Sequence, residues 1–550
     1  MGANIRAIGT ATGRLNIAET LAGKELLVTG VTGFLGKVWL SELLCRVPEI
    51  GHVHLLIRPS SRLSAVERFE HAAERSPAFR PVREIHGAGY ESFLRERVSV
   101  VSGDITEPMC GLKTAAITRL SKRIDAVVHF AGLTDFDPDP RMAMDINVLG
   151  ATNLADLTAK LKGAKFLHCS TCFVAGNVSG NITEQFEPGV APNGTHFDPV
   201  AETAAAMETM ETVDADFKSP KDKDAKLARL DAIRERALAL GWPNIYTYTK
   251  GLAEHSLASR KMQKTTVRPA IVECSRDFPF AGWNEGINTS GPLIWFLSGA
   301  LGNLPCKPAY HFDVVPVDTV SRGVTMALVA LLRGEAETVY QLGSSATNAF
   351  NFGRALELTN LGNRKYHRQS GAKPMERHLF RLMDSSPREW DATPLRSVPG
   401  LKRLSKGLSK TLAKVDFASV APPQLRNLAQ TLNGQRDWAL WSLSKADRML
   451  DRLQRMLDAY KPFIHDNDYI FLSDNIQALS GRLEGRDLEH YGWDIDSLDW
   501  RTYWVDVVYP GILKWTMPEL HGKDAPLDPP MAKPLDLAPR RTPKTTKAVS

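Results

Sequence analysis

Between residues 25 and about 275 the hydrophobic positions of this chain gather into short, nearly continuous runs, and the stretches between them carry helical periodicity. The runs are E-L-L-V-T-G (25 to 30), H-V-H-L-L-I-R (52 to 58), V-S-V-V-S-G-D-I (98 to 105), A-V-V-H-F-A-G (126 to 132), K-F-L-H-C-S-T (165 to 171) and T-T-V-R-P-A-I-V (265 to 272). Strands that are apolar throughout and alternate with helices predict a parallel sheet covered on both faces, so the expected class is α/β with a doubly wound sheet. Between about 180 and 245 the rhythm breaks into a polar loop and a charged helical stretch, read as an insertion covering a cleft. Past about 365 the strand pattern gives way to helical sequence rich in Leu, Arg and Lys. The expected divisions are an arm at 1–20, a sheet domain at 21–365, a helical domain at 366–525 and a basic, Pro-rich tail at 526–550, expected to be disordered.

The first run leads into T-G-V-T-G-F-L-G, which spaces Gly30, Gly33 and Gly36 three apart between a strand and an amphipathic helix. Glycines in that setting let backbone N–H groups approach a pyrophosphate at a helix N-terminus, so Thr29, Gly30, Thr32, Gly33, Phe34, Leu35 and Gly36 are the expected cofactor loop. Arg58 ends the second run, where a fold selecting NAD would carry an acidic residue for the ribose 2′-hydroxyl. An arginine there suits a 2′-phosphate, and NADPH is the expected cofactor. Asp104 and Ile105 end the third run, where the adenine would lie; Asp104 could equally cap the next turn.

The segment N-I-Y-T-Y-T-K-G (244 to 251) offers two tyrosines to one lysine. On a helix Tyr246 and Lys250 are i and i+4 and share a face, whereas Tyr248 diverges from Lys250. A neighbouring ammonium brings a phenol closer to its working range. The fifth run ends in Ser170 and Thr171, which place a hydroxyl at the carboxyl edge of the sheet; either one fits.

Hydroxyl, tyrosine and lysine behind this glycine loop resemble the extended short-chain dehydrogenase/reductase superfamily. The resemblance implies that Thr171, counted back from Gly176, bonds the substrate oxygen, with Ser170 as the alternative. It further implies that Tyr246 protonates that oxygen and that Lys250 holds the ribose and tunes the tyrosine. V-V-H-F-A-G-L-T-D-F-D with I-N-V-L-G, W-P-N-I-Y-T-Y-T-K, V-R-P-A-I-V-E, F-P-F-A-G-W-N-E-G, V-V-P-V-D and V-Y-Q-L-G-S-S are similar to the fatty acyl-CoA reductases, most of all the bacterial alcohol-forming ones. Y-K-P-F-I-H-D-N-D-Y-I-F-L-S-D-N and I-D-S-L-D-W-R-T-Y-W extend the similarity into the second domain, so it spans roughly residues 20 to 520. What it implies is NADPH-dependent reduction of a long-chain acyl-CoA to the alcohol through an aldehyde, with release of CoA. An enzyme stopping at the aldehyde, or another carbonyl reductase of this superfamily, are the alternatives. His129, Ala131 and Gly132 depart from the family's usual Asn and Ala-Ala, and Phe173, Val174 and Ala175 from its Tyr-Val-Asn.

Composition adds limits. With 550 residues, 43% hydrophobic and 24% charged, the chain is a folded globular one rather than fibrous or disordered. Six cysteines make no disulfide framework, and the C-x-x-C of Cys169 and Cys172 lies in a strand that separates the thiols. No run is long and apolar enough to span a bilayer, so a cytoplasmic protein is expected, with no nucleic-acid partner and no metal. The net charge is +6, but L-K-R-L-S-K-G-L-S-K-T-L-A-K-V from 401 puts Leu401, Leu404, Leu408, Leu412 and Val415 on one helical face with cations around them. That pattern fits a helix packed on its own domain, or one in peripheral contact with a membrane. Trp283 is expected either to line an acyl tunnel or to fill the core.

Overall fold

The computed structural model describes residues 13–538 except 137, 220–221, 288–290, 292–293, 295–301, 372–383, 396, 421, 423, 425 and 532. The last twelve residues of the basic tail lie outside the described residues. Seven strands form the main sheet: β1 (Glu25–Thr29), β2 (His52–Ile57), β3 (Val98–Ser102), β4 (Ala126–His129), β5 (Lys165–Cys169), β6 (Lys264–Pro269) and β7 (Val339–Leu342). Their order is β7-β6-β5-β4-β1-β2-β3, and all neighbours are parallel. The chain winds outward from β1 to β3 and then returns to β4, so the connections after β1 and β4 part company and open a crevice at the carboxyl edge. The fold is therefore the expected doubly wound one. The seventh strand comes from V-Y-Q-L, which its four residues alone did not announce.

The helices that position the site are α1 (Phe34–Arg46), α2 (Pro199–Ala215), α3 (Lys223–Ala239), α4 (Ile245–Ala258), α5 (Val317–Arg333), α6 (Phe352–Gln369), α7 (Val398–Leu412) and α8 (Arg426–Lys461). Helices α1 and α5 pack on each other, with Trp39 Nε1 donating to Thr325 Oγ1 at 3.1 Å inside the core. The insertion forms the antiparallel pair α2 and α3, tied by Arg236 to Glu202 at 2.7 Å. Met210, Ile233, Trp242, Tyr248 and Leu252 pack in a single cluster, so the pair braces the back of α4.

The chain beyond 365 is interleaved with the sheet domain rather than set beside it. The expected boundary falls inside α6. Residues Tyr469–Phe471 pair in parallel with Gly180–Ile182, and Ser386–Arg388 with Asn303–Pro305. The tail differs from expectation over 526–538. Asp528 is ion-paired with Arg80 and Arg83, and Leu535 is buried in the main core. A proline-rich strap that cannot become a helix can still dock in extended form when one carboxylate and one leucine find such partners.

Candidate active site

The glycine loop turns tightly between β1 and α1. Gly30 has φ +78, and a Cβ there would stand 2.5 Å from the Ala131 backbone nitrogen. A Cβ on Gly36 would come within 2.4 Å of the Gly30 carbonyl. These two glycines let the loop close on itself and on the end of β4, while Gly33 is exposed at the N-cap of α1. That cap has no side-chain acceptor and no acidic residue in its first turn. The free N–H groups and the positive end of the helix dipole are left for an anion, which is what a pyrophosphate needs.

The neighbouring loop residues divide by role. Thr32, Phe34 and Leu35 are half-buried at the loop. Thr29 is a correction: its hydroxyl is buried, 2.7 Å from His129 Nδ1 and accepting from Ala131 N–H at 3.4 Å, because the last strand residue turns into the sheet. It shapes the loop instead of lining the cleft. Trp283 is buried with its ring 5.2 Å from Phe34, so it fills the core behind the loop.

Arg58 and Asp104 meet at the ends of the adjacent strands β2 and β3, with 3.7 Å between Nη1 and Oδ2. The Arg58 side chain is 56% exposed, free to swing toward an anionic ligand. Asp104 also accepts from Thr106 N–H at 3.0 Å and Thr106 Oγ1 at 2.9 Å, so it caps its turn as well. Ile105 is buried against Gly150.

Helix α4 begins at Asn244, whose side chain accepts from Thr247 N–H at 2.9 Å and fixes the first turn. Tyr246 and Lys250 then face the sheet edge, and Tyr248 faces away. The Thr171 hydroxyl neighbours the Tyr246 phenol and acts on it against the effect of burial. Thr171 Oγ1 donates to Pro269 O at 3.3 Å and accepts from Phe173 N–H at 3.3 Å, so it is held in place from two sides. Ser170 Oγ is buried and has no partner among the described residues. Of the two hydroxyls, Thr171 is the one brought to the tyrosine. Tyr248 donates to Glu202 Oε1 at 2.5 Å on the far side.

Burial pushes the Tyr246 phenol well above its ordinary range, and the neighbouring Thr171 hydroxyl partly offsets this. The buried Lys250 ammonium donates to Cys169 O at 3.0 Å and stands against Gly132, where a Cβ would lie 2.8 Å from Nζ. Burial also draws the lysine below its ordinary range. Beneath it His129 and His168 pair in register across β4 and β5, with ring centroids 5.3 Å apart. Burial first, and then the Lys250 charge, push His129 down to about 3 and His168 well below its usual value, so both rings are neutral.

Sequence reasoning missed two features. Asn147 is buried and clamps the loop after β4, accepting from Leu133 N–H at 2.7 Å and donating to Leu133 O at 3.1 Å and Thr249 Oγ1 at 3.0 Å. It sits in a π-helical segment, Met144–Leu149, the kind of local distortion that re-aims a side chain. The I-N-V-L-G phrase held it in plain view. The second feature is an aromatic wall over the tyrosine. Phe136 lies 5.9 Å from Tyr246, 5.0 Å from Tyr460 and 5.3 Å from Phe463, and Phe173 lies 5.2 Å from Phe463. This wall comes from the loop after β4, the turn after β5, the end of α8 and the turn beyond it, not from α2 and α3. Only the contact of segments more than 300 residues apart could reveal it.

A parallel sheet wound from its centre, a phosphate-binding turn on β1 and a hydroxyl–tyrosine pair beside a buried lysine define a nicotinamide-dependent oxidoreductase. Residues 28–324 match the NAD-binding domain described as Male sterility protein, and residues 421–519 match the Sterile domain of the same description. The chain belongs to that family. It is 28% identical over 521 residues to fatty acyl-CoA reductase 2, chloroplastic, of Arabidopsis thaliana, covering 90% of this chain and 79% of the relative. It is 27% identical over 512 residues to the alcohol-forming fatty acyl-CoA reductase of Simmondsia chinensis, covering 91% and 98%. Among solved structures, the reductase domain of a nonribosomal peptide synthetase from Mycobacterium tuberculosis aligns over 92% of this chain and 97% of its own, with 15% identity and a TM-score of 0.49.

Proposed function

We propose that this chain reduces long-chain fatty acyl-CoA with NADPH, releases CoA, and carries the aldehyde on to the fatty alcohol in the same site. The observation that carries this reading is the Thr171–Tyr246 hydroxyl pair enclosed by Phe136, Tyr460 and Phe463. NADPH, when bound, supplies the hydride. The Gly30–Gly36 loop and the α1 N-terminus would hold its pyrophosphate, Asp104 and Ile105 would lie beside its adenine, Arg58 would take the 2′-phosphate, and Lys250 would bind the ribose.

Thr171 and Tyr246 donate to the substrate carbonyl oxygen as it gains negative charge, and Tyr246 gives that oxygen its proton. A phenol kept protonated by burial is suited to this task. After the first reduction the hemithioacetal collapses, its C–S bond breaks, and CoA leaves as the thiol. The aldehyde carbonyl then occupies the same position. Because both reductions place charge on one oxygen, a single hydroxyl pair serves both. All six cysteines are free, which supports a reducing cytoplasm. Among the described residues no helix is long and apolar enough to cross a membrane.

The test is NADPH oxidation measured alongside thiol release on palmitoyl-CoA. Two NADPH per thiol supports the alcohol as product; one per thiol replaces that part of the reading with an aldehyde-forming enzyme, and absence of thiol release refutes the substrate class. Arg58→Ser is expected to raise the KM for NADPH by about tenfold or more while leaving that for NADH nearly unchanged. Equal changes for both cofactors would remove Arg58 from 2′-phosphate selection.

A further inference from the structure

The net positive charge of the chain is concentrated in one helical segment that also exposes two tryptophans. Residues 398–461 hold twelve Lys and Arg against five Asp, a net +7, whereas the whole chain carries +6; everything else is close to neutral. This stretch folds as a helical hairpin. Lys402 pairs with Asp451, Arg436 Nη1 donates to Val415 O at 2.6 Å, and Asn433 Oδ1 accepts from Phe417 N–H at 3.0 Å, so α7 and α8 run antiparallel.

One face of α8 buries Ala429, Leu450, Leu453 and Leu457. The opposite face presents Trp438, Trp441, Lys445, Arg448, Arg452 and Arg455 at successive i+3 and i+4 positions, all exposed. The two indoles are 69% and 58% exposed, and Lys445 lies 5.4 Å over the Trp441 ring. On α7, Leu404 and Leu408 are 45% exposed each, so the apolar face legible in the sequence is only partly used against α8. Exposed tryptophans in line with four cations have no use in a solvated helix face, where large apolar groups cost solubility.

We propose that the α7–α8 hairpin docks on an anionic lipid surface. Indoles settle at the boundary between headgroups and acyl chains, and each nearby Lys or Arg gains from the negative surface potential. The position of the hairpin gives the docking a purpose. The far end of α8 delivers Tyr460 to the aromatic wall over Tyr246, with Phe463 just beyond it, roughly 30 Å along the same helix from Trp441. A rigid helix thus links a lipid-facing patch to the apolar side of the site. The docking claim itself does not depend on the reaction assigned above.

The experiment is co-sedimentation of the full chain with vesicles of phosphatidylcholine alone or mixed with phosphatidylglycerol, at low and high salt. The wild-type chain is expected to partition onto the anionic vesicles at least about tenfold more strongly than onto neutral ones, and to lose this in high salt. Lys445→Glu/Arg448→Glu/Arg452→Glu is expected to weaken binding to anionic vesicles by about a hundredfold or more. Trp438→Ala/Trp441→Ala is expected to weaken it about tenfold and to leave residual salt-sensitive binding. Unaltered circular dichroism and thermal midpoint show that the variants fold. Equal binding to neutral and anionic vesicles, unchanged binding by the charge-reversed variant, or a wild-type chain that self-associates through the tryptophans without binding vesicles would each overturn the proposal.

Discussion

Helix α4 has two sides built from the same eight residues, and they follow opposite rules. On the front, Tyr246 lies beside a threonine hydroxyl, and Lys250 donates to a strand carbonyl and stands against Gly132 at the carboxyl edge of the sheet. On the back, Tyr248 is closed off, donating to a carboxylate that Arg236 already holds, with Trp242 packed beside it. Both phenols are pushed up by burial, Tyr246 with partial relief from Thr171 and Tyr248 with added opposition from Glu202. A raised pKa therefore does not distinguish a working tyrosine from a structural one; the partner and the direction it faces do.

The largest effect that would break this contrast is on turnover. Tyr246→Phe is expected to lower kcat by about 10²–10⁴-fold with the fold intact, and Tyr248→Phe to leave kcat within about threefold, measured as NADPH oxidation on an acyl-CoA. Comparable losses in both would mean that the front of the helix has been misjudged.

Next comes the hydroxyl choice. Thr171→Val should cost about ten- to a hundredfold in kcat, because the substrate oxygen loses one donor and the tyrosine its neighbouring hydroxyl. Ser170→Ala should cost less than about threefold. The reverse ranking would move the role to Ser170.

Smaller, and on the back only, Tyr248→Phe should lower stability by about 1–2 kcal/mol, read from chemical denaturation, since Glu202 keeps Arg236 but loses its phenol donor. Tyr246→Phe should change stability less.

The least visible effect is in pH dependence. An acid acts while protonated, so its rate falls as pH rises through its pKa. With Tyr246 held above its ordinary 10, kcat for reduction should stay flat from about pH 6 to 9. A falling limb near neutrality that disappears in Tyr246→Phe would show that a bound ligand lowers the phenol far more than Thr171 does.

Much of this was legible beforehand. Local periodicity alone separated Tyr246 from Tyr248, since i and i+4 share a helical face whatever the rest of the fold does. Six apolar runs marked the sheet, and the Gly30–Gly33–Gly36 spacing marked its phosphate turn, because strand burial and glycine geometry are properties of neighbouring residues.

Other decisions belonged to the tertiary structure. Whether Ser170 or Thr171 meets the tyrosine depends on how the chain turns after β5, and the two hydroxyls are chemically near equals in sequence. Thr29 was drawn into the sheet by His129, a residue a hundred positions away. Lys250 was directed to Cys169 O and Gly132, Trp283 was set behind Phe34, and the strap at 526–538 was fixed by arginines near residue 80. The aromatic wall over Tyr246 joins Phe136 to Tyr460 and Phe463. The sequence by itself determined the elements and the chemistry each can offer, because these follow from short-range sterics and periodicity. Which groups finally face one another was decided by long-range packing, where burial and hydrogen-bond partners come from segments the local pattern never sees.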